Sequence, residues 1–137
     1  MTDLGVVLRV VDTLEAARLR VWVFGGWAEE LRGLRPPCDH EEVDLLYPGR
    51  DFVRVDRFIG DGVADTRPHK RSFEIDGIRV EVLLVQKDEQ GWYTESPRGG
   101  VHRWPADVFA TAGRLPVASA AALDGYRHSR RADSEAA

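Results

Sequence analysis

The sequence predicts an α/β (α+β) protein, a small mixed, twisted sheet flanked by helices. Three observations point there. Segments with apolar residues at helical spacing alternate with short β-favouring runs along the chain. Asp76-Gly77 separates two such runs and marks a β-hairpin. The 137 residues, 43% hydrophobic and 31% charged, have the balance of an ordinary folded protein, with enough chain to bury a core without staples.

Leu4, Val7, Leu8, Val11, Leu14 and Leu19 recur at helical spacing over residues 4–19, with Thr2 or Asp3 as N-cap. Val21 to Phe24 is a strand that stops at Gly25-Gly26, and Trp27 to Arg32 resumes helical composition, giving strand, glycine turn and short helix. Pro36-Pro37 excludes helix interior, so residues 35–39 form a loop that feeds a second strand, Val43 to Tyr47. Pro48-Gly49 ends that strand, and residues 51–59 carry Phe52, Val55, Phe58 and Ile59 at helical spacing. Ser72 to Ile75 and Ile78 to Val85 form the hairpin. Residues 87–104, polar and broken by Gly91, Pro97, Gly99 and Gly100, read as a surface loop or flap. Pro105 to Ala112 reads as a helical turn, Leu115 to Val117 as an extended piece, and Ser119 as the cap of a last helix through Arg131. One domain over residues 1–131 with a frayed tail at 132–137 is the expectation.

Composition narrows the function. Cys38 is the only cysteine, which excludes a disulfide scaffold and a multi-cysteine zinc site. A net charge of -4 with mixed signs argues against nucleic acid as a partner. No apolar run approaches the ~20 residues of a membrane span. Asp3, Arg9, Asp12, Glu15, Arg18 and Arg20 interrupt the first segment, so no signal-peptide core is present there, and a cytoplasmic location is expected. The oligomeric state is not legible.

The chemistry concentrates in two strands. Residues two apart on a strand share a face, so Glu42 and Asp44 stand side by side while Val43 and Leu45 enter the core. Glu81 interrupts the otherwise apolar Val80 to Val85, where a charge must be paired or metal-bound. Three carboxylates are hard oxygen ligands suited to Mg²⁺ or Mn²⁺, ions that commonly bind together with substrate phosphates. Gly25-Gly26 at a helix start offers unobstructed N–H groups to a phosphate. Lys70, Arg71, Arg98 and Arg103 could meet triphosphate oxygens, and Trp92, Tyr93 and Trp104 could stack on a base or sugar. Each of these features also has an ordinary alternative: a solvent-facing strand, a plain turn, a solvated surface or a core aromatic.

Val23-Phe24-Gly25-Gly26-Trp27-Ala28-Glu29, followed by Asp39-His40-Glu41-Glu42-Val43-Asp44-Leu45 and Tyr47-Pro48-Gly49, resembles the polymerase-β-like nucleotidyltransferases, in particular the aminoglycoside 2″- and lincosamide branches. The resemblance spans about residues 20–128 and includes Gly113 to Val117 with Ser119 and Tyr126. It implies a minimal nucleotidyltransferase fold and two-metal, in-line transfer of a nucleoside monophosphate, most simply AMP from Mg²⁺·ATP, to a hydroxyl of a small acceptor. It further implies phosphate contact at Gly25 and Gly26, metal ligation at Glu42 and Asp44, and a ligand or general-base role for Glu81. Glu42 and Glu81 stand where the family carries Asp, from which a second expectation follows: a catalytically weak or inactive nucleotide-binding module that regulates another protein. His40 is expected to brace the turn or the metal carboxylates, Cys38 to be an incidental thiol, and the basic run 127–131 to close a helix.

Overall fold

In the computed structural model, residues 3–61 and 65–136 are described. Helix α1 (Leu4–Ala16) starts at Asp3, whose carboxylate accepts the Val6 N–H at 2.9 Å. The helix stops earlier than the periodicity predicts, because Arg18 turns into the left-handed region at φ 64° and Leu19 enters the core from outside the helix. The buried stripe is Val6, Val7, Val10, Val11 and Leu14, whereas Leu4 and Leu8 face outward.

Strand β1 (Trp22–Phe24) runs directly into α2 (Gly25–Leu31), so Gly25 and Gly26 form the first turn of that helix rather than a turn before it. Arg32 fastens the far end of α2, donating to the carbonyls of Ala118 at 2.7 Å and Val117 at 3.0 Å. Strand β2 (Glu42–Pro48) and helix α3 (Val53–Ile59) follow, the latter begun by Asp51, which accepts the Val53 N–H at 3.0 Å. Strand β3 (Asp65–Arg67), which the periodicity does not reveal, pairs with β4 (Lys70–Ile75). The expected hairpin joins β4 to β5 (Ile78–Asp88), with Asp76 at φ 50° and Gly77 at φ 79°, the two left-handed positions of a tight hairpin turn.

Residues 87–104 are not a loop. Strand β5 continues to Asp88, turns, and pairs with β6 (Gly91–Glu95), which pairs in turn with β7 (Val101–Arg103). Only Ser96 to Gly100 remains as a turn between them. Pro105 to Ala112 is likewise not helical: one turn closed by Val108 N–H to Pro105 O at 3.1 Å leads into β8 (Phe109–Ala112), which pairs with β9 (Leu115–Ala118). Ser119 caps α4 (Ala120–Ala136), its hydroxyl accepting from Ala122 N at 3.1 Å. The helix passes beyond Arg131 because residues 132–136 hold neither Gly nor Pro to stop it.

The sheet order is β3-β4-β5-β2-β1-β9-β8, with β6 and β7 branching from the far end of β5. The β2/β5 and β1/β9 pairs are parallel and the rest antiparallel, so the sheet is mixed. Val43, Leu45, Val80 and Val82 are fully or almost fully buried at its centre. Among the described residues no helix is long and apolar enough to cross a membrane.

Candidate active site

The centre of the site is the β2/β5 pair. Their parallel register sets Asp44 opposite Glu81 and Glu42 opposite Arg79, on the face away from Val43 and Val80. One oxygen from each of Glu42, Asp44 and Glu81 lies within 4.8 Å of the others, so the structure brings the three predicted carboxylates together. Glu42 Oε2 is buried and has no hydrogen-bond partner among the described residues. Such an oxygen, facing two further carboxylates, is suited to a cation, and an all-oxygen set is suited to a hard one such as Mg²⁺ or Mn²⁺.

The electrostatics divide the trio. Burial, then the charges of Glu42 and Glu81, push the Asp44 carboxyl up to about 8. Glu42 is also raised, first by burial and then by Glu81. Burial acts in the same direction on Glu81, but hydrogen bonding with Glu42 and the cations of Lys70 and Arg79 outweigh it and hold that carboxyl down at about 2. Lys70 Nζ lies 3.1 Å from Glu81 Oε2, and an Arg79 nitrogen lies 3.1 Å from Oε1. Without a metal, one member of the trio is therefore neutralised by two cations while another tends to keep a proton.

The two glycines have separate reasons to be glycine. A Cβ on Gly25, at φ +65°, would collide with the Asp44 carboxylate. A Cβ on Gly26 would stand 2.9 Å from His40 Nδ1 and 3.2 Å from an Arg35 nitrogen, so protein groups alone require glycine there. Both glycines line a cavity of about 860 Å³ together with the trio and Lys70.

Of the other predicted contacts, Arg98 lines this cavity, but Arg71 and Arg103 do not. Arg71 pairs with Asp56 at 2.7 Å and lies over the Phe52 ring, and Arg103 makes a two-pronged pair with Asp88 at 2.7 Å on both arms. Trp92 and Tyr93 lie outside it as well, and Trp104 is a core residue whose indole N–H donates to Thr94 Oγ1 at 2.8 Å. The aromatic side of the cavity is made instead by Phe24, His102 and Tyr126. Trp104 stands behind them in one ring cluster, stacked on Tyr126 at 5.5 Å. The cations Arg35, Arg67 and Arg127, together with His69, line the cavity and were missed by sequence reasoning. Arg127 of the basic run reaches Glu29 at 2.7 Å, and Arg35 reaches the same carboxylate at 3.5 Å. No local pattern marks these residues, because α4, the loop before β2 and the β3–β4 connection meet the site only through the tertiary fold.

Of the two expectations for His40, the structure shows its ring against the glycine turn, next to Gly26. His40 is buried, packs on the Trp27 ring at 4.6 Å and bonds Glu30 through Nε2 at 3.1 Å, with the Cys38 sulfur beside it.

A sequence model of the family described as aminoglycoside-2″-adenylyltransferase matches residues 6–127. Among solved structures, the chain is similar to a lincosamide antibiotic adenylyltransferase, LnuA, bound to lincomycin, with a TM-score of 0.67, 16% identity, and 86% of this chain and 81% of that one covered. ANT(2″)-Ia in complex with adenylyl-2″-tobramycin is similar with a TM-score of 0.63 and 17% identity over 93% of this chain and 76% of that one. A candidate nucleotidyltransferase from Thermotoga maritima gives a TM-score of 0.62 and 19% identity over 96% and 87%. At these identities the likeness is one of fold. No curated protein matches the chain.

Proposed function

Because this chain belongs to the aminoglycoside-2″-adenylyltransferase family, we propose that it moves a nucleoside monophosphate, most simply AMP from ATP, to a hydroxyl of a small polyhydroxylated acceptor. The single observation that supports this best is the trio Glu42, Asp44 and Glu81 with oxygens within 4.8 Å of one another, at the base of a cavity large enough for a nucleotide and part of an acceptor.

Glu42, Asp44 and Glu81 would hold the divalent ion or ions, Mg²⁺ or Mn²⁺, which when bound neutralise and polarise phosphate oxygens. Gly25 and Gly26, which line the cavity beside the trio, would contact the phosphates through their backbone. Lys70 has two anionic partners in the proposal: Glu81 when the site is empty of nucleotide, and a triphosphate oxygen when it is not. The exchange frees Glu81 Oε2 from Lys70, and that oxygen would then be available to the divalent ion or to the proton leaving the acceptor hydroxyl. Phe24, His102 and Tyr126 give the cavity an aromatic side on which the nucleoside or the acceptor could rest, with Trp104 stacked on Tyr126 from the core.

The test is release of pyrophosphate from Mg²⁺·ATP across a panel of aminoglycosides, lincosamides and other polyhydroxyl compounds. Acceptor-dependent release that falls at least ~100-fold in Asp44→Asn is expected, the scale on which loss of a catalytic electrostatic group acts. Release equal in Asp44→Asn would contradict the proposal. A second reading, a nucleotide-binding module without turnover, is favoured by one feature, the neutralisation of Glu81 by Lys70 and Arg79. Stabilisation by Mg²⁺·ATP without pyrophosphate release from any acceptor would select it.

A further inference from the structure

Glu30, Cys38 and His40 form a second group of side chains that could hold a metal ion, with His40 beside Gly26. One ligand atom from each lies within 4.8 Å of the other two. The Cys38 sulfur is 3.9 Å from His40 Nε2, and that nitrogen is 3.1 Å from Glu30 Oε1. A tetrahedral Zn²⁺, with bonds of about 2.3 Å to sulfur and about 2.0 Å to nitrogen or oxygen, separates sulfur from nitrogen by about 3.5 Å and nitrogen from oxygen by about 3.3 Å. The two observed spacings lie within a few tenths of an ångström of what the ion requires. The sulfur also lies 4.0 Å from His40 Nδ1, so it must swing toward the Nε2 side to share an ion with that nitrogen, and Cys38 is exposed, which leaves it room to do so.

From this geometry we propose that Glu30, Cys38 and His40 bind Zn²⁺, with water as the fourth ligand on the exposed side. The donor chemistry supports the assignment. A thiolate, an imidazole and a carboxylate suit a borderline-soft ion, whereas the Glu42-Asp44-Glu81 set offers only hard oxygens. The chain geometry supports it as well. Glu30 lies on α2, and Pro36-Pro37 holds the following segment extended so that Cys38 and His40 return to it. Glu30 Oε1 also accepts the Cys38 N–H at 3.0 Å. The segment between α2 and β2 is otherwise largely exposed, and a metal clip there would fix the loop that leads into Glu42. Binding leaves Glu30 as carboxylate and His40 as neutral imidazole and releases the thiol proton of Cys38 to solvent.

Cobalt titration of the metal-free, full-length protein under a non-thiol reductant tests this, because a thiolate ligand gives a sulfur-to-cobalt charge-transfer band that oxygen ligands do not. The native protein is expected to show the band with Co²⁺ and to lose it on adding Zn²⁺. Asp44→Asn should keep the band, since it alters the oxygen site only. Cys38→Ser, at an exposed position and with its fold checked by circular dichroism, should abolish the band and weaken Zn²⁺ binding at least ~100-fold. Absence of the band in native protein, or its persistence in Cys38→Ser, would overturn the proposal. A Zn²⁺-induced rise in melting temperature that is equal in native protein and Glu30→Gln would also count against it.

Discussion

The carboxylate of Asp44 occupies the space in which a side chain on Gly25 would have to stand. The first helical turn after β1 and the acidic face of β2 are thereby matched to each other: a backbone at φ +65° leaves room for a charge on the neighbouring strand. Gly25→Ala is expected to cost about 1–3 kcal/mol of stability, from left-handed strain together with displacement of Asp44. It should also remove Mn²⁺-dependent stabilisation. Thermal melts with and without Mn²⁺ check both parts, and an unchanged Mn²⁺ response in a folded variant would separate Gly25 from the site.

Asp44 gives a pH dependence of defined sign. Its folded-state pKa is raised to about 8 from an ordinary 3.8, so its contribution is fully present below about pH 4 and is lost as pH rises toward 8. In metal-free protein, the melting temperature of the native chain relative to Asp44→Asn is expected to fall between pH 5 and 8, by roughly 5 °C if 1–2 kcal/mol is involved. Added Mn²⁺ should reverse the trend, because the ion needs the deprotonated form. A difference that stays flat across this range without metal would show that Asp44 is not held protonated.

Lys70 is expected to act on nucleotide more than on metal. Lys70→Met removes one cation from Glu81, so Mn²⁺ alone should bind at least as well as in the native protein. Binding of Mn²⁺·ATP should weaken by about tenfold, the value of one charge-assisted contact. Calorimetric titration with each ligand gives the comparison. Equal losses for both ligands would assign Lys70 to the metal site alone.

Thr94 ties β5 to the segment after β7. Its hydroxyl donates to Leu84 O at 2.7 Å and accepts the Trp104 indole N–H at 2.8 Å, both out of solvent. Thr94→Val keeps the volume and orphans the indole donor, so a loss of about 1–3 kcal/mol in denaturant unfolding is expected. A neutral result would mean that the buried N–H finds another acceptor.

The parts of this protein that were legible in sequence are those with local signatures. Alternation around Val43 and Leu45 revealed the acidic face of β2, Asp76-Gly77 revealed the hairpin, and an acid inside an apolar run revealed Glu81. What was missed depends on distant partners. Strands β6 and β7 are short, and β5 enters their ladder through the polar residues Gln86 to Asp88, where alternation is lost. Pro105 imitates a helix start, yet the residues after it pair with β9, and tertiary pairing overrides a weak local preference. Tyr126 and Arg127 reach the cavity only because α4 folds back on β1, so no spacing along the chain could have identified them.

The most direct test of the central claim, that Glu42, Asp44 and Glu81 hold a divalent ion for a nucleotide, is ATP binding measured by calorimetry with and without Mn²⁺ in native protein and Asp44→Asn. The account expects Mn²⁺ to strengthen ATP binding at least tenfold in the native chain and to have no such effect in a folded Asp44→Asn protein. Equal Mn²⁺-dependent binding of ATP by both proteins would contradict it.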